Sequence, residues 1–384
     1  MKAKKIIISA ILFLFFTNII MSFSINYEQL NSNQAILSIS SAPLSSQSVS
    51  LDTQWNLELI GARKSRAAGL TGANASNPND PVVIAVLDSG IFNHSELKNA
   101  TGHTKIVNST DFTIPSQGVQ DDTAHGTHVA GIIASNVRGI APDVILYNFK
   151  VIGSGGTGSS TWLQNALNDL ATNHPPNKGG IEGVDIVTMS IGIVPDEWND
   201  MTTGEQNDFK AAINACLNSG MILVAATGNY NSGAEGINYP AALSGVIAVG
   251  AINMYEVLTS YSEYGSAVDF VGPGGDQIGQ IYSTFPEVNG SYGLMSGTSQ
   301  ATPHITGMIA ALLGTNSTKY NNNTIKSELQ KLCKDLGALG RDDYYGYGLP
   351  QFFPEDSFVI PFIIILIITA IIGVIVIIIP GRKE

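Results

Sequence analysis

The sequence predicts an α/β domain built on a mainly parallel sheet, because apolar strand-like segments alternate with helix-like segments along its middle. Five segments are short, continuously apolar and rich in β-branched residues, as strands covered on both faces are: residues 82–88, 144–151, 184–190, 221–227 and 246–251. Apolar residues recur at helical spacing between them, over residues 159–172 and 205–219. Parallel strands joined by helices form right-handed crossovers, so we expect residues 54–349 to fold as one domain.

The composition argues against two classes of protein. Of 384 residues, 19 are Lys or Arg and 31 are Asp or Glu, which gives a net charge of −12. A nucleic-acid-binding protein normally carries a basic surface that neutralises phosphates, so we expect no nucleic-acid partner. With 44% hydrophobic residues the chain can bury a core, which argues against disorder. Its two cysteines, Cys216 and Cys333, are too few for a disulfide framework.

The first 25 residues resemble a secretory signal peptide. Lys2, Lys4 and Lys5 precede an apolar run over residues 6–16, which is the charged and apolar pattern of such signals. Only Ser22 and Ser24 supply small residues for cleavage, so an uncleaved N-terminal anchor is the alternative. Residues 26–53 are rich in Ser, Asn and Gln, and we expect a linker or an N-terminal arm there.

A second apolar segment, residues 358–379, has the length of a transmembrane helix. Its 22 residues carry no charge, and at about 1.5 Å per residue they span the roughly 30 Å hydrocarbon core. Arg382 and Lys383 follow directly. The positive-inside rule therefore places residues 380–384 in the cytoplasm and the domain outside the cell, joined by a linker over residues 350–357. A sorting signal that is cut and replaced by a lipid is the alternative.

Three polar motifs mark one edge of the predicted sheet. Asp88 ends the first strand, His125 begins a helix of small residues, and Ser299 lies at the head of an apolar helix. Ligands of parallel sheets collect at the carboxyl ends of the strands, so these side chains are candidates for one site. Asp, His and Ser in this chain order form one of the three known orders of a serine-protease triad.

These motifs resemble those of subtilases, the subtilisin-like serine peptidases. They are spaced by 37 and 174 residues, and the resemblance runs from residue 54 to about residue 348. The segment around Asn229 resembles the oxyanion-hole strand end of that family. The resemblance implies a subtilisin-like three-layer sandwich, followed here by one C-terminal transmembrane helix.

The resemblance also implies a role for each residue of the site. Ser299 would attack the scissile carbonyl after His125 removes its proton, and Asp88 would hold the imidazole in the productive tautomer. The side chain of Asn229 and the backbone N–H of Ser299 would bind the oxyanion. We therefore expect a serine endopeptidase that cleaves extracellular proteins at the outer face of the membrane. A catalytically silent surface-binding domain on the same scaffold is the alternative.

Peptide substrates of this family add as a strand between two backbone edges, and pockets read alternate side chains. The resemblance assigns eight residues to this recognition, in the two edges and near the first specificity pocket. They are Gly156, Thr157, Gly158, Ser190, Ile191, Gly192, Thr227 and Gly228. No acidic cluster marks the pocket, so we expect a broad preference for uncharged side chains.

Other polar residues near these motifs receive structural interpretations. We expect His128 and His304 to be structural, because the family pattern assigns them no proton transfer. Asp121 and Asp122 are interpreted as solvated loop carboxylates, with metal binding as the alternative.

No cofactor is expected for the chemistry itself. Residues 135–139 form a shorter loop than the one that cages calcium in many subtilases, and Glu96 stands where the pattern often has Asp. We therefore expect the familiar calcium site to be absent, while structural calcium elsewhere stays open in this acidic, loop-rich domain.

Overall fold

The computed structural model describes residues 54–74, 77, 80–230, 236–289, 291–315 and 322–353. The expected signal peptide, the 26–53 segment, residues 354–357 of the linker and the expected transmembrane helix with its tail lie outside these residues. Within the described ranges, no helix is both long enough and apolar enough to cross a membrane.

Seven parallel strands form the central sheet, in the order β2-β3-β1-β4-β5-β6-β7. They are β1 Val83–Asp88, β2 Ile106–Asp111, β3 Ile145–Lys150, β4 Ile186–Met189, β5 Ile222–Ala226, β6 Ile247–Ile252 and β7 Phe270–Pro273. All five sequence-predicted strands are present, each within two residues at either end. The two that the apolar pattern missed, β2 and β7, are the edge strands.

Eight helices accompany the strands in the described residues. They are α1 Trp55–Leu59, α2 Ala62–Ala67, α3 His125–Ala134, α4 Ser160–Asn173, α5 Pro195–Asp200, α6 Thr203–Asn218, α7 Thr298–Thr315 and α8 Asn322–Lys331. Three short 3₁₀ turns complete the helical segments, Ser95–Leu97, Pro176–Lys178 and Glu287–Asn289. Both helices predicted from apolar spacing, α4 and α6, are present. Side-chain caps help to define where they begin, because Ser159 caps α4 and Thr202 forms a capping box with Glu205 at α6.

The layers follow from the alternation of side chains along buried strands. In β1, Ile84 and Val86 face the side of the sheet that α3 and α7 cover, while Ala85 and Leu87 face the side that α4 and α6 cover. Both groups are buried, so the strand is apolar without interruption. The result is a three-layer α/β/α sandwich with a separate core on each face of a parallel sheet, as the sequence predicted.

Two short antiparallel pairs lie outside the main sheet: β8 Ile281–Thr284 with β9 Tyr292–Met295, and β10 Cys333–Lys334 with β11 Leu349–Pro350. The first pair is bound to α3. The hydroxyls of Ser283 and Thr284 each donate to a carbonyl of α3, at 2.8 Å. The ring of His128 returns a hydrogen bond to the carbonyl of Ile281, at 2.9 Å. These contacts fix the helix that begins with His125.

Candidate active site

The three polar motifs meet at the carboxyl ends of the central strands. Asp88 is the last residue of β1, His125 is the first residue of α3, and Ser299 lies in the first turn of α7. Together with Asn229, which follows β5, they line one cleft of about 690 Å³. The fold therefore brings together all four residues that the sequence singled out for chemistry.

Asp88 and His125 are directly hydrogen-bonded. Oδ1 of Asp88 lies 2.8 Å from Nδ1 of His125 and accepts the backbone N–H of Ser89 at 2.7 Å. The Asp88 side chain is 1% exposed, whereas that of His125 is 28% exposed. A buried carboxylate on Nδ1 favours the tautomer whose other nitrogen, Nε2, can accept a proton.

The electrostatics of the site favour the protonated imidazole. Burial lowers the pKa of His125, but the charge of Asp88, its hydrogen bond and the charge of Asp121 together raise the pKa above its ordinary value of 6.5. The imidazolium that a general base becomes is therefore stabilised where it forms.

Asp121 is not the solvated loop carboxylate that the sequence suggested, because its side chain is buried and both of its oxygens accept hydrogen bonds. Its Oδ1 accepts the hydroxyl of Ser89 at 2.8 Å and the N–H of Ala124 at 2.9 Å. Its Oδ2 accepts the N–H and the hydroxyl of Thr127, at 2.8 and 2.5 Å. The interpretation as a solvated loop carboxylate was wrong, because N–H groups at the start of α3 have no partner within the helix and Asp121 supplies one.

Asp122 is an ion-pair partner. Its Oδ2 lies 2.6 Å from Nζ of Lys150, a side chain with no exposed surface that also donates to the carbonyl of Gln120 at 2.6 Å. A buried ammonium needs such a partner. Asp122 is an exposed loop residue whose side chain keeps 35% of its surface accessible, as the sequence interpretation expected, and the ion pair is a contact that the sequence did not predict.

Ser299 is paired with Ser190 across the cleft. The hydroxyl of Ser299 donates to the carbonyl of Ser190, and the hydroxyl of Ser190 donates to the carbonyl of Ser299, both at 2.8 Å. In the described residues the Ser299 hydroxyl has no hydrogen bond to His125, so transfer of its proton to that ring requires rotation about the Cα–Cβ bond. Catalytic hydrogen bonds are often unformed in the absence of substrate.

The amide of Asn229 is held in one orientation. Its Oδ1 accepts the N–H of Thr298 at 2.8 Å and the hydroxyl of Thr298 at 2.9 Å. Because the oxygen is occupied by Thr298, the NH₂ group is the part of the side chain that can donate to a ligand. The backbone N–H of Ser299 lies in the first turn of α7, where the helix itself provides no acceptor.

Of the eight residues predicted to contact substrate, all but one line the cleft. Seven line the cleft: Gly156, Thr157, Gly158, Ser190, Ile191, Gly192 and Gly228. Thr227 does not, because its side chain is fully buried. Its N–H continues the pairing of β5 with β6 by donating to Val249, and side-chain alternation turns it away from the cleft that Ala226 and Gly228 line.

Sequence reasoning missed several polar residues that line the cleft, among them Glu197 and Asn238. Glu197 lies in the short helix α5, and Asn238 lies in the connection between β5 and β6. Neither belongs to a recognisable motif. The Tyr239-Pro240 dipeptide indicates a turn next to Asn238 but says nothing about which way its side chain points.

His128 and His304 are both fully buried, as expected of structural histidines. His128 binds the carbonyl of Ile281, and His304 binds that of Gln300 at 2.7 Å. Burial lowers the pKa of His128 to about 3 and that of His304 to about 4. Both rings are therefore neutral at neutral pH.

Comparison with known proteins identifies the family. A profile of the subtilase family matches residues 79–348. The chain belongs to the subtilase family. Its domain is that of a serine-type endopeptidase, in agreement with the Asp, His and Ser gathered in the cleft.

Named relatives of this subtilase are bacterial proteases. The minor extracellular protease Epr of Bacillus subtilis (strain 168) is 37% identical over 304 residues, which cover 78% of this chain but only 41% of Epr. Subtilisin Savinase of Lederbergia lenta is 33% identical, over 77% of this chain and 95% of its own length. A thermostable alkaline protease of Halalkalibacterium halodurans is 32% identical, over 78% of this chain and 73% of its own length. The chain thus spans less than half of the length of Epr.

The oxygens of the loop over residues 134–139 accept hydrogen bonds from two basic side chains. Nζ of Lys105 donates to the carbonyl of Ala134 at 2.7 Å and to Oδ1 of Asn136 at 2.6 Å. The guanidinium of Arg66 donates to the carbonyls of Asn136, Val137 and Gly139, at 2.5, 2.8 and 3.1 Å. Carbonyl oxygens that could surround a calcium ion therefore surround two side-chain cations.

The carboxylate of Glu96, close to this loop, also has hydrogen-bond partners. Glu96 accepts hydrogen bonds from Arg138 at 2.8 Å, from the hydroxyl of Tyr292 at 2.7 Å and from the hydroxyl of Ser135. Burial lowers the pKa of Lys105 to about 8, so Lys105 still carries a charge at neutral pH. These residues do not fit a divalent cation. In the part of the chain that the structure describes, no group of three or more His, Cys, Asp or Glu side chains is placed to hold a metal.

Asp88→Asn tests the electrostatic coupling in this cleft. The substitution keeps the size of the side chain and removes its charge. Burial, which lowers the pKa of His125, should then outweigh the charge of Asp121, which raises that pKa. We expect the pKa of His125 to fall, as followed by NMR titration of its ring resonances. Asp208→Asn, on the exposed face of α6, is the control and should leave the pKa of His125 unchanged. A pKa that stays or rises in Asp88→Asn would contradict the assignment.

Proposed function

We propose that this subtilase hydrolyses peptide bonds in extracellular proteins, with Ser299 as nucleophile, His125 as general base and Asp88 as the group that orients and stabilises the imidazole. The observation that carries the proposal is the 2.8 Å contact between Asp88 and His125 in the cleft that Ser299 lines. Buried and hydrogen-bonded carboxylates of this kind are the partners that histidine bases use in serine peptidases.

The reaction begins with a change in the hydrogen bonding of Ser299. Its hydroxyl leaves the carbonyl of Ser190 and turns to Nε2 of His125. As the serine oxygen bonds to the scissile carbonyl carbon, its proton moves to Nε2. The imidazolium then gives that proton to the leaving amine, and the C–N bond breaks to form an acyl-enzyme. Water, deprotonated by the same ring, releases the acid product and restores Ser299.

The negative charge of the tetrahedral intermediate needs donors that are already in position. The NH₂ group of Asn229 and the N–H of Ser299 are the proposed pair. Two hydrogen bonds from Thr298 hold the Asn229 amide, so little reorganisation is needed when the charge develops. The dipole at the start of α7 adds to the same stabilisation.

Substrate binding is proposed to use the two edges of the cleft. A peptide in extended form would lie between residues 156–158 and residues 190–192, with backbone hydrogen bonds to both. Three glycines in these edges leave room for its backbone, namely Gly156, Gly158 and Gly192.

Ser299→Ala and Asn229→Leu separate the two parts of this mechanism. Loss of the nucleophile should reduce kcat on casein by at least about 10⁴-fold and abolish labelling by a fluorophosphonate probe. Asn229→Leu keeps the side-chain volume but removes the donor, so kcat should fall by about 10² to 10³-fold with KM nearly unchanged. Labelling, kcat and KM are measured on purified protein whose fold is checked by circular dichroism.

Ser266→Ala is the matched serine control, because Ser266 is exposed and lies outside the cleft. It should keep full activity and labelling. A wild-type protein that is folded but neither cleaves nor labels would support the silent surface-binding domain. Cleavage that survives in Ser299→Ala would contradict the assignment of the nucleophile.

The proposal includes attachment to the membrane through residues 358–379, with the peptidase domain outside the cell. Its support is the 22-residue uncharged segment followed by Arg382 and Lys383. Protein substrates and the membrane are therefore the proposed partners, and the acidic charge of the chain disfavours nucleic acid.

Cell fractionation tests this attachment. The full chain with a C-terminal tag should sediment with membranes, and the tag should resist a protease added to intact cells. A chain that ends at Ser357 should instead appear in the medium. A tag that is digested on intact cells would contradict the orientation, and a membrane-bound protein without its tag would indicate the cleaved sorting signal.

We also propose that no calcium ion is needed at residues 134–139, because Lys105 and Arg66 satisfy the oxygens of this loop. Lys105→Met removes the donor to the buried carbonyl of Ala134 and to the partly buried Oδ1 of Asn136. It should lower the free energy of unfolding by about 2 kcal/mol, in calcium and in chelator alike. Thermal unfolding measures this, with exposed Lys64→Met as the control. An unchanged midpoint, or one that calcium restores, would contradict the proposal.

A further inference from the structure

Beside Ser299 lies a pocket between two backbone segments. The segment from Ser190 is held against Ser299 by their reciprocal hydrogen bonds. The segment containing Gly228 and Asn229 is held against the same turn of α7, since the N–H of Gly228 donates to Thr298 at 3.2 Å. In the proposed mechanism, the substrate residue whose carbonyl Ser299 attacks would place its side chain between these segments.

The inner end of this pocket is filled by Asn238. A Cβ atom added to Gly192 would lie 2.7 Å from Cβ of Asn238, and one added to Gly228 would lie 2.9 Å from its Cγ. Both distances are shorter than real contacts permit, so only glycine at these two positions lets the Asn238 amide sit between the segments. The carboxamide of Asn238 therefore lies between the two segments, at the floor of the pocket.

The backbone of Asn238 is fixed from both sides. Its N–H donates to the carbonyl of Thr227 at 2.8 Å, and its carbonyl accepts the N–H of Ala242 at 3.0 Å. The next residue, Tyr239, exchanges two hydrogen bonds with Ile193, at 2.7 and 2.9 Å. The floor is thus bound to both walls of the pocket and is preorganised for a ligand.

The amide has an unused acceptor. Asn238 is 6% exposed and lines the cleft, yet its buried Oδ1 accepts no hydrogen bond. Leaving a buried polar atom without a partner costs about 1–3 kcal/mol. A neutral ligand group that donates a hydrogen bond would recover this cost, whereas an aliphatic group would not. A carboxylate would place an acceptor against an acceptor.

We propose that Asn238 sets the substrate preference of this subtilase, selecting a neutral hydrogen-bond donor, above all the carboxamide of glutamine or asparagine, in the residue before the scissile bond. The inference rests on the proposed function, because it assumes that Ser299 is the nucleophile. It narrows the broad preference for uncharged residues that the sequence predicts. Charged donors are disfavoured, since a neutral amide does not compensate a buried ammonium.

A peptide series that differs only in the residue before the scissile bond tests this preference. The series contains Gln, Asn, Met, Leu, Glu and Lys at that position in internally quenched peptides. For the wild-type enzyme we expect kcat/KM to be about tenfold higher for Gln than for Met, which has similar length and no donor. A ratio within twofold of unity would overturn the proposal.

Two variants locate the preference at Asn238. Asn238→Leu has similar volume but no acceptor, so the Gln-to-Met ratio should fall to about one. Asn238→Asp keeps the shape and adds a charge, so Lys should gain relative to Gln. Asn173→Leu, on the exposed end of α4, is the control and should keep the wild-type ratio. A ratio that persists in both Asn238 variants would overturn the proposal.

Fluorophosphonate titration supplies the concentration of active enzyme for each protein, so misfolded material does not enter kcat/KM. The result also distinguishes the two proposals. If no peptide is cleaved and no probe reacts, the proposed function fails. If the peptides are cleaved without a preference that depends on Asn238, only the assignment of Asn238 fails.

Discussion

The site depends on one close approach, that of the start of α3 to the end of β1. A Cβ atom on Gly126 would lie 2.1 Å from the carbonyl oxygen of Gly90 and 3.1 Å from Cβ of Asp88, so no larger residue could follow His125 at this distance. Ala124, just before it, has a left-handed φ of +68°, a conformation that costs energy in a non-glycine residue. The carboxylate of Asp121 offsets this cost by binding the donors of the first turn. The contact of His125 with Asp88 is thus imposed by backbone packing.

A second, separate constraint brings Ser299 to the same edge. The paired hydrogen bonds with Ser190 join α7 to the residue after β4, and Asn229 binds the turn that begins α7. Because α3 and α7 cover the same face of the sheet, each constraint positions its helix against a different strand end. The proposed nucleophile and its proposed base, Ser299 and His125, are therefore 174 residues apart in the sequence and are held by one common sheet. In the proposed mechanism the Ser299 hydroxyl is the part that moves, because it would have to release the carbonyl of Ser190 before it reacts.

Strands with a continuous apolar pattern and site residues within a known motif could be predicted from the sequence. Strands buried on both faces are apolar without interruption, so β1, β3, β4, β5 and β6 could be recognised. In contrast, β2 alternates between half-buried and exposed residues, and β7 ends in Gly272 and Pro273, two residue types that are uncommon in strands. The triad motifs could be recognised by order and spacing. The burial of Asp121 and the orientations of Thr227 and Asn238 could not, because each depends on what a distant segment supplies: Ser89, β6 and the two glycine walls of the pocket.

Three basic side chains of this acidic domain bind groups in its interior or pack on its aromatic rings. Lys150 and Lys105 are buried, and the Arg138 guanidinium lies 5.1 and 4.9 Å from the ring centres of Tyr282 and Tyr292. Their positive charges offset internal oxygens and carboxylates, which leaves the acidic groups to dominate the exterior. Such a field favours the approach of cationic segments of a substrate. The proposed selection at Asn238 acts on a neutral group, so encounter and cleavage would depend on different features of the substrate: its overall charge, and one hydrogen bond next to the bond that is cut.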